Sequence, residues 1–454
     1  MTARLGRTAS APHGPKGGQA AVATVLFWTT IVTGAAGLWA SSLNNAPGYV
    51  WIAAIIIGVA TLSLGLTIRE AKIDLLSPSV IFSLVWAIIF GIRPLLMAST
   101  GDTSLRDTYN FPAQLVNVEL LALVGQLSFF GGVLLARDRT VSLTEERKVR
   151  RPLRFGQVVF LVLGAAGSVL GFQASLGGTS AYVYYLPLVL VPLANISLLS
   201  WLRSKNAGDI ALCLVASAIF AMRFSLTGQR AFVLYLLLSL AAIFLLEKKR
   251  SPRLGTAVAA GAVLLVGVFY TLEVQRSELR GGARLEAELS AQAILGTLFQ
   301  GGTTEMAPSM SALLATEGYL WQQRHGETLY TVLVHWVPSA LWEGKPKTYD
   351  EDLYSRMFPE HYAVDKANTQ FSVLGDFYSD SGWLGVGIGL GVMGYGLQAF
   401  YLTARSRRSD FVMLAYAATP ALLLTTFRGN LALNFGIALF LVFPLFVMTR
   451  RADV

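Results

Sequence analysis

The chain has a single cysteine, Cys213, among 454 residues, so no disulfide can form within it and it contains no cysteine-based metal site. Its four histidines, His13, His325, His335 and His361, lack the i, i+4 pairing of a zinc-protease helix, which leaves zinc chemistry without ligands. Charge is scarce as well. Only 14% of residues are charged, well below the quarter or so of ordinary soluble domains, and this excludes a soluble globular enzyme. Disorder needs low hydrophobicity, which is not found here, and a collagen-like fibre needs glycine at every third position, which these glycines do not keep.

What the sequence has instead is apolar surface: 54% hydrophobic residues and a mean hydropathy of +0.54. A bilayer core about 30 Å thick needs roughly 20 apolar residues per helix. Runs of that length predict an all-α polytopic membrane protein of about twelve spans, at 19–41, 48–68, 77–98, 115–136, 155–175, 183–202, 207–225, 230–247, 255–274, 382–404, 410–427 and 431–449. Arg4, Arg7 and Lys16 precede the first run as they would in a signal peptide, but the run exceeds the usual apolar stretch of about 7–15 residues, and a span is favoured.

The formal charge of +9 fits either nucleic acid or an anionic membrane surface, and the position of the cations decides for membrane. With the N-terminus in the cytoplasm, alternation puts 69–76, 137–154, 203–206, 248–254, 405–409 and both tails inside, and these hold 23 of the 36 Lys and Arg. Seven lie in one stretch, Arg137, Arg139, Arg147, Lys148, Arg150, Arg151 and Arg154, whereas the opposite short loops and their flanking span ends hold five. Each juxtamembrane cation contributes about 1 kcal/mol near an anionic leaflet, so the reverse orientation is disfavoured. The expected layout is a cytoplasmic basic tail over 1–18, nine spans over 19–275, an extracytoplasmic loop with short helices over 276–381, three spans over 382–449 and a cytoplasmic tail over 450–454.

The five exceptions are Arg93, Arg106, Arg223, Arg230 and Arg428, four of them at or just inside the outer ends of spans. Arginine beside hydrocarbon is costly and marks function or a buried partner; convergence of several favours a shared anionic ligand over separate snorkelling to headgroups. The 276–381 segment holds Arg276, Arg280 and Arg284, an Ala/Leu/Glu-rich helical stretch, a break at Gly301-Gly302, and a helix expected near 309–323. The Trp and Pro residues of 335–346 predict a rigid turn at the membrane interface. Thr348 with Glu351 reads as a helix capping box in preference to a Mg²⁺ site, and Gly387 and Gly391 as helix packing. Asp376 and Asp380 stand at the outer boundary, where a partly desolvated carboxylate can accept a proton; Asp380 reads better as a cap of the tenth span.

Three stretches carry a family resemblance: Thr227-Gly228-Gln229-Arg230-Ala231, Val337-Pro338-Ser339-Ala340-Leu341-Trp342-Glu343-Gly344-Lys345-Pro346, and Phe427-Arg428-Gly429-Asn430. Together with the hydropathy plan they resemble the Wzy-type O-antigen polymerases, closest to the enterobacterial common antigen polymerase branch, in which a basic residue stands where Lys345 does. The resemblance covers about 220–435. It implies a GT-C-like helical bundle in the bacterial plasma (inner) membrane, acting on its outer face. The implied activity is a glycosyltransferase that joins polyprenyl-pyrophosphate-linked oligosaccharide repeat units into a surface polysaccharide. The implied partners are undecaprenyl-pyrophosphate-linked donor and acceptor, membrane lipids, a chain-length regulator and a flippase; nucleic acid is not among them.

Such a transfer needs cations against the departing pyrophosphate, and the planar guanidinium fork suits phosphate oxygens. Arg230, Arg428 and Arg276 are the first candidates, then Arg223 and Arg280, with Lys345 from the resemblance. No metal or other cofactor is then required. The acceptor hydroxyl needs a base, for which Asp376 is the candidate and His335 the rival, because related O-antigen ligases rely on a loop histidine. Tyr330, Trp336, Trp342, Tyr349 and Tyr354 are candidates for stacking on sugars or for interface anchors. A ligase shares fold and donor with a polymerase and stays open as an alternative; a transporter is disfavoured because the two halves of the chain are unlike.

Overall fold

The computed structural model describes residues 47–67, 73–100, 112–136, 154–171, 180–227, 230–248, 251–264, 306–337, 341–342, 344–365, 371–406 and 409–449. Among these the chain is helical, with no strand beyond one bridge between Glu317 and Trp321. Nine described helices are long and apolar enough to cross a membrane: Gly48–Thr67, Pro78–Ser99, Leu115–Ala136, Tyr182–Ser204, Ala207–Leu226, Ala231–Lys248, Ser372–Arg405, Asp410–Arg428 and Leu431–Thr449. Several show large apolar side chains outward, Leu134, Leu135 and Ile388 among them, as helices do when lipid rather than water surrounds them. The chain is a multi-pass membrane protein.

The expected span at 19–41 lies outside the described residues. The one at 155–175 is the shorter helix Arg154–Leu170, and the one at 255–274 is described only as Leu254–Leu264. The span expected from 382 belongs to a 34-residue helix, Ser372–Arg405, that is broken inside at Ser381 and Gly382. Gly382 has φ +60, a conformation a side chain opposes, and the preceding piece turns so that the Phe377 ring lies against Gly389.

Two apolar cores organise the bundle. One joins Tyr182–Ser204, Ala207–Leu226, Ala231–Lys248, the start of Asp410–Arg428 and Leu431–Thr449. The other stacks Phe82 on Trp86 and Phe129, sets all three edge-on to Phe427, and continues without interruption into Met310, Leu313, Tyr349, Leu353 and Leu374. The Met306–Thr316 and Tyr349–Met357 helices are therefore seated in the same core as the spans. Leu115–Ala136 and Ser372–Arg405 approach main chain to main chain. A Cβ on Gly132 would fall 1.9 Å from the Gly391 carbonyl, and one on Gly394 2.2 Å from that of Phe129. Glycine packing was legible in the sequence, but the tightest positions are Gly132 and Gly394 rather than Gly387 or Gly391.

Segments that alternation assigns to one side do meet. Ile73 donates to the Pro252 carbonyl, Asp74 accepts from Tyr401 and from Arg405 (2.8 Å), and Arg203 bridges Glu247 (3.1 Å) and Asp410 (2.7 Å).

Candidate functional site

The broken helix supplies one of the two carboxylates at the site, and the helix Tyr349–Met357 the other. Asp376, 6% exposed, accepts the Leu431 amide at 2.6 Å, at the first turn of the last span and three residues past Arg428. Asn430 caps that span: its Oδ1 accepts the Leu433 amide at 2.7 Å, while its Nδ2 donates to Asp350 Oδ2 at 2.6 Å. Asp350, 1% exposed, comes from the first turn of the helix Tyr349–Met357 and lies close enough to Asp376 for the two charges to interact. Burial pushes the Asp350 carboxyl above the usual carboxylate range, and hydrogen bonds from Thr348 and Asn430 offset only part of that shift.

Helix Tyr349–Met357 starts where the capping box sets it, but the box itself does not close. Thr348 takes the extended N-cap conformation and its carbonyl accepts the Asp352 amide, but its side chain caps no main-chain amide, and Glu351 accepts the Tyr362 hydroxyl at 2.7 Å. Asp380 is a cap, though of a different helix from the one expected. It accepts the amides of Gly326 (2.8 Å) and Thr328 (3.2 Å), holding the start of Glu327–Val334, because the break at Ser381–Gly382 turns it away from the tenth span. The helix expected over 309–323 is Met306–Thr316. It stops where Gly318, at φ +78, donates to the Trp321 carbonyl, and glycine in that conformation ends a helix.

The candidate cations divide. Arg428 ends the helix Thr419–Arg428, half-buried, on the same turn of chain that Asp376 and Asp350 hold. Arg223 is elsewhere. It is 1% exposed, donates to the Gly171 carbonyl at 2.7 Å and lies over the ring of Tyr184 at 5.5 Å, so packing in the first core occupies it. Arg93 is also buried, at the end of a π-helical stretch, Ala87–Ile92. Arg230 begins the helix Arg230–Lys248, but its side chain, like Arg106, Arg276 and Arg280 entirely, lies outside the described residues.

Lys345 donates to the carbonyls of His335 and Val337, the latter at 2.9 Å, and so closes the expected interface turn upon itself. His335 keeps its Nδ1 buried without a hydrogen bond. Burial, with the Lys345 charge beside it, lowers its pKa to about 4. It is neutral near pH 7 and a weak proton acceptor. Of the aromatics, Tyr349 and Tyr354 are buried in the second core and unavailable for stacking, whereas Tyr330 and Trp336 are about half exposed.

Sequence reasoning weighed Asp350 and Asp352 only as members of a Mg²⁺ cluster set aside for a helix cap and quoted Asn430 only within a motif, and it missed the pairing of Asp350 with Asn430 and a group on the other side of the Tyr349–Met357 helix. There Asp352 accepts from Arg356 (2.9 Å) and from Arg324, whose guanidinium lies 5.1 Å from the centre of the Tyr349 ring. The i, i+4 spacing of Asp352 and Arg356 was a usable signal; Arg324, 28 residues away, had none. Among the described residues no group of three or more His, Cys, Asp or Glu is arranged to hold a metal ion.

Comparison with protein-family models, with curated proteins and with solved structures finds no match.

Proposed function

We propose that this is a membrane glycosyltransferase that joins polyprenyl-pyrophosphate-linked oligosaccharide units on the extracytoplasmic face of a bacterial plasma membrane. The full fold is a GT-C-like bundle of about twelve spans with both termini inside. The observation that carries the reading is the seating of Asp376 on the Leu431 amide, beside the chain that bears Arg428. A buried acceptor and a half-buried guanidinium from remote parts of the sequence thus share one boundary of the bundle. Cations concentrated in the opposite loops support the orientation.

In the reaction, an acceptor hydroxyl attacks the anomeric carbon of the donor. The new glycosidic C–O bond forms as the bond to the phosphate oxygen breaks. The pyrophosphate leaves on its lipid with the electron pair, and Asp376 takes the hydroxyl proton. Arg428 offers the leaving charge a fork of donors that stays protonated near lipid. Lys345 and Arg223 are committed to main-chain carbonyls and serve the scaffold. With its pKa lowered to about 4, His335 loses the advantage an imidazole ordinarily has over a carboxylate as a base near pH 7.

The test is the glycan profile of cells in which only the variant is present. Arg428→Ala and Asp376→Asn are expected to leave a single-repeat product with normal protein levels. A full ladder in either variant refutes its assigned role, and long unattached lipid-linked chains in a deletion strain indicate a ligase instead.

A further inference from the structure

Beside the buried carboxylates lies a polar cleft of about 530 Å³, a size that takes small ligands. The Tyr349–Met357 helix separates the two compartments and serves both: Asp350 faces Asn430, while Asp352 lines the cleft. Trp321 lines it as well, fixed by its Nε1 donating to the Leu313 carbonyl at 2.9 Å and by edge contact with Tyr349 at 5.4 Å. Gln322 and Glu327 are exposed in its wall, and Arg356 is held in place by Asp352 and by the Leu320 carbonyl at 3.1 Å.

The charges in this cleft nearly cancel. Arg324 and Arg356 stand against Asp352 and Glu327, and both guanidiniums already donate to Asp352. An anionic ligand would have to displace that carboxylate and meet a second one. A ligand rich in neighbouring hydroxyls fits better, because each hydroxyl both donates and accepts, and the wall alternates forked donors with carboxylate and amide acceptors around an aromatic ring.

We infer that the cleft is a saccharide subsite that binds uncharged sugar residues of the repeat unit, one helix away from the reacting centre. The choice of glycan as ligand rests on the transferase reading. The helix between the two would couple sugar recognition to Asp350 and, through Asn430, to the turn that carries Arg428.

The full chain in lipid nanodiscs, applied to an array of immobilised neutral and uronic-acid-bearing oligosaccharides, tests this. Neutral members are expected to retain the protein. Glu327→Trp, which fills the cleft from an exposed position, and Arg356→Ala should each weaken retention about tenfold or more, the effect of losing one charge-assisted contact. Unfolding temperatures close to wild type will show that both variants fold. Preference for uronic-acid members, retention of no member, or retention unchanged in Glu327→Trp overturns the inference. Asp376→Asn separates the two claims. If it leaves chain extension intact while Glu327→Trp abolishes retention, the transferase chemistry fails and the cleft assignment survives. If it stops extension while Glu327→Trp retains glycan normally, only the cleft assignment fails.

Discussion

Asn430 ties the last span to the buried carboxylates, and its replacement by aspartate puts that arrangement to a physical test. Asn430 is 4% exposed, caps Leu431–Thr449 through its Oδ1 and donates to Asp350 at 2.6 Å. Asn430→Ala removes a helix cap, about 1 kcal/mol, and leaves a buried carboxylate oxygen short of a donor, about 1–3 kcal/mol. Asn430→Asp keeps the cap, since aspartate serves as well there, but sets two carboxylates face to face. At 2.6 Å and an effective dielectric of about 20, their gross repulsion is about 6 kcal/mol, which proton uptake relieves. The folded pair then titrates above the unfolded aspartate value of about 3.9. Its stability is present in acid and lost as pH rises through the raised folded pKa. Thermal unfolding of the detergent-purified full chain at pH 5 and pH 8 reads this directly. The deficit of both variants against wild type should grow from pH 5 to pH 8, because Asn430→Ala also takes from Asp350 a donor that favours its charged form, but that of Asn430→Asp should grow by more, since it adds a second carboxylate. A deficit for Asn430→Asp that does not change with pH would refute the Asp350–Asn430 pairing, and with it the link between the carboxylates and the Arg428 turn.

Arg428→Lys should recover little of the chain extension lost in Arg428→Ala, because a point charge cannot reproduce the guanidinium fork; ladder length on a gel measures it. Asp376→Asn should slow transfer by about 10²–10⁴-fold, the usual contribution of a general base, without weakening retention of lipid-linked donor in a binding assay. His335 titrates near 4 in the folded chain against about 6.5 when unfolded, so wild type should lose stability as pH falls through that window. Melting curves of His335→Gln should lack this loss, and the variant should still extend chains. Gly394→Ala, with its Cβ 2.2 Å from the Phe129 carbonyl, should cost about 1–3 kcal/mol or more by forcing two spans apart, whereas Gly396→Ala, which meets nothing within 4 Å, should melt like wild type.

Much of the architecture could be read from residue order because lipid imposes it. A chain that must satisfy its main-chain hydrogen bonds in hydrocarbon has to fold as apolar helices of span length, so Gly48–Thr67, Leu115–Ala136 and Leu431–Thr449 were legible one by one. The expectation that basic loops share one side rests on the same physics, since each charge acts on the membrane independently of the fold. The candidate site was only half legible. Arg428 and Asp376 stood out as polar groups at a boundary, but Asp350 looked like one acid among several in a helix cap. Arg223 looked like its fellow arginines until the packing of Tyr184 and the Gly171 carbonyl enclosed it.

What the sequence alone determined, then, was a helical membrane protein, its basic residues bunched in a few short segments and polar, charged residues concentrated in one long one. Tertiary structure alone decided which of those residues meet. The break at Ser381–Gly382 turned Asp380 onto the Glu327–Val334 helix, and Asp376 met the Leu431 amide across 55 residues of sequence. Helix Tyr349–Met357 was set between a carboxylate pair and a polar cleft, so that Asp350 and Asp352, two positions apart, face different surroundings. Local pattern records how each helix meets its solvent, but distances between helices depend on side-chain interlocking summed over the whole bundle, which no short window of residues contains.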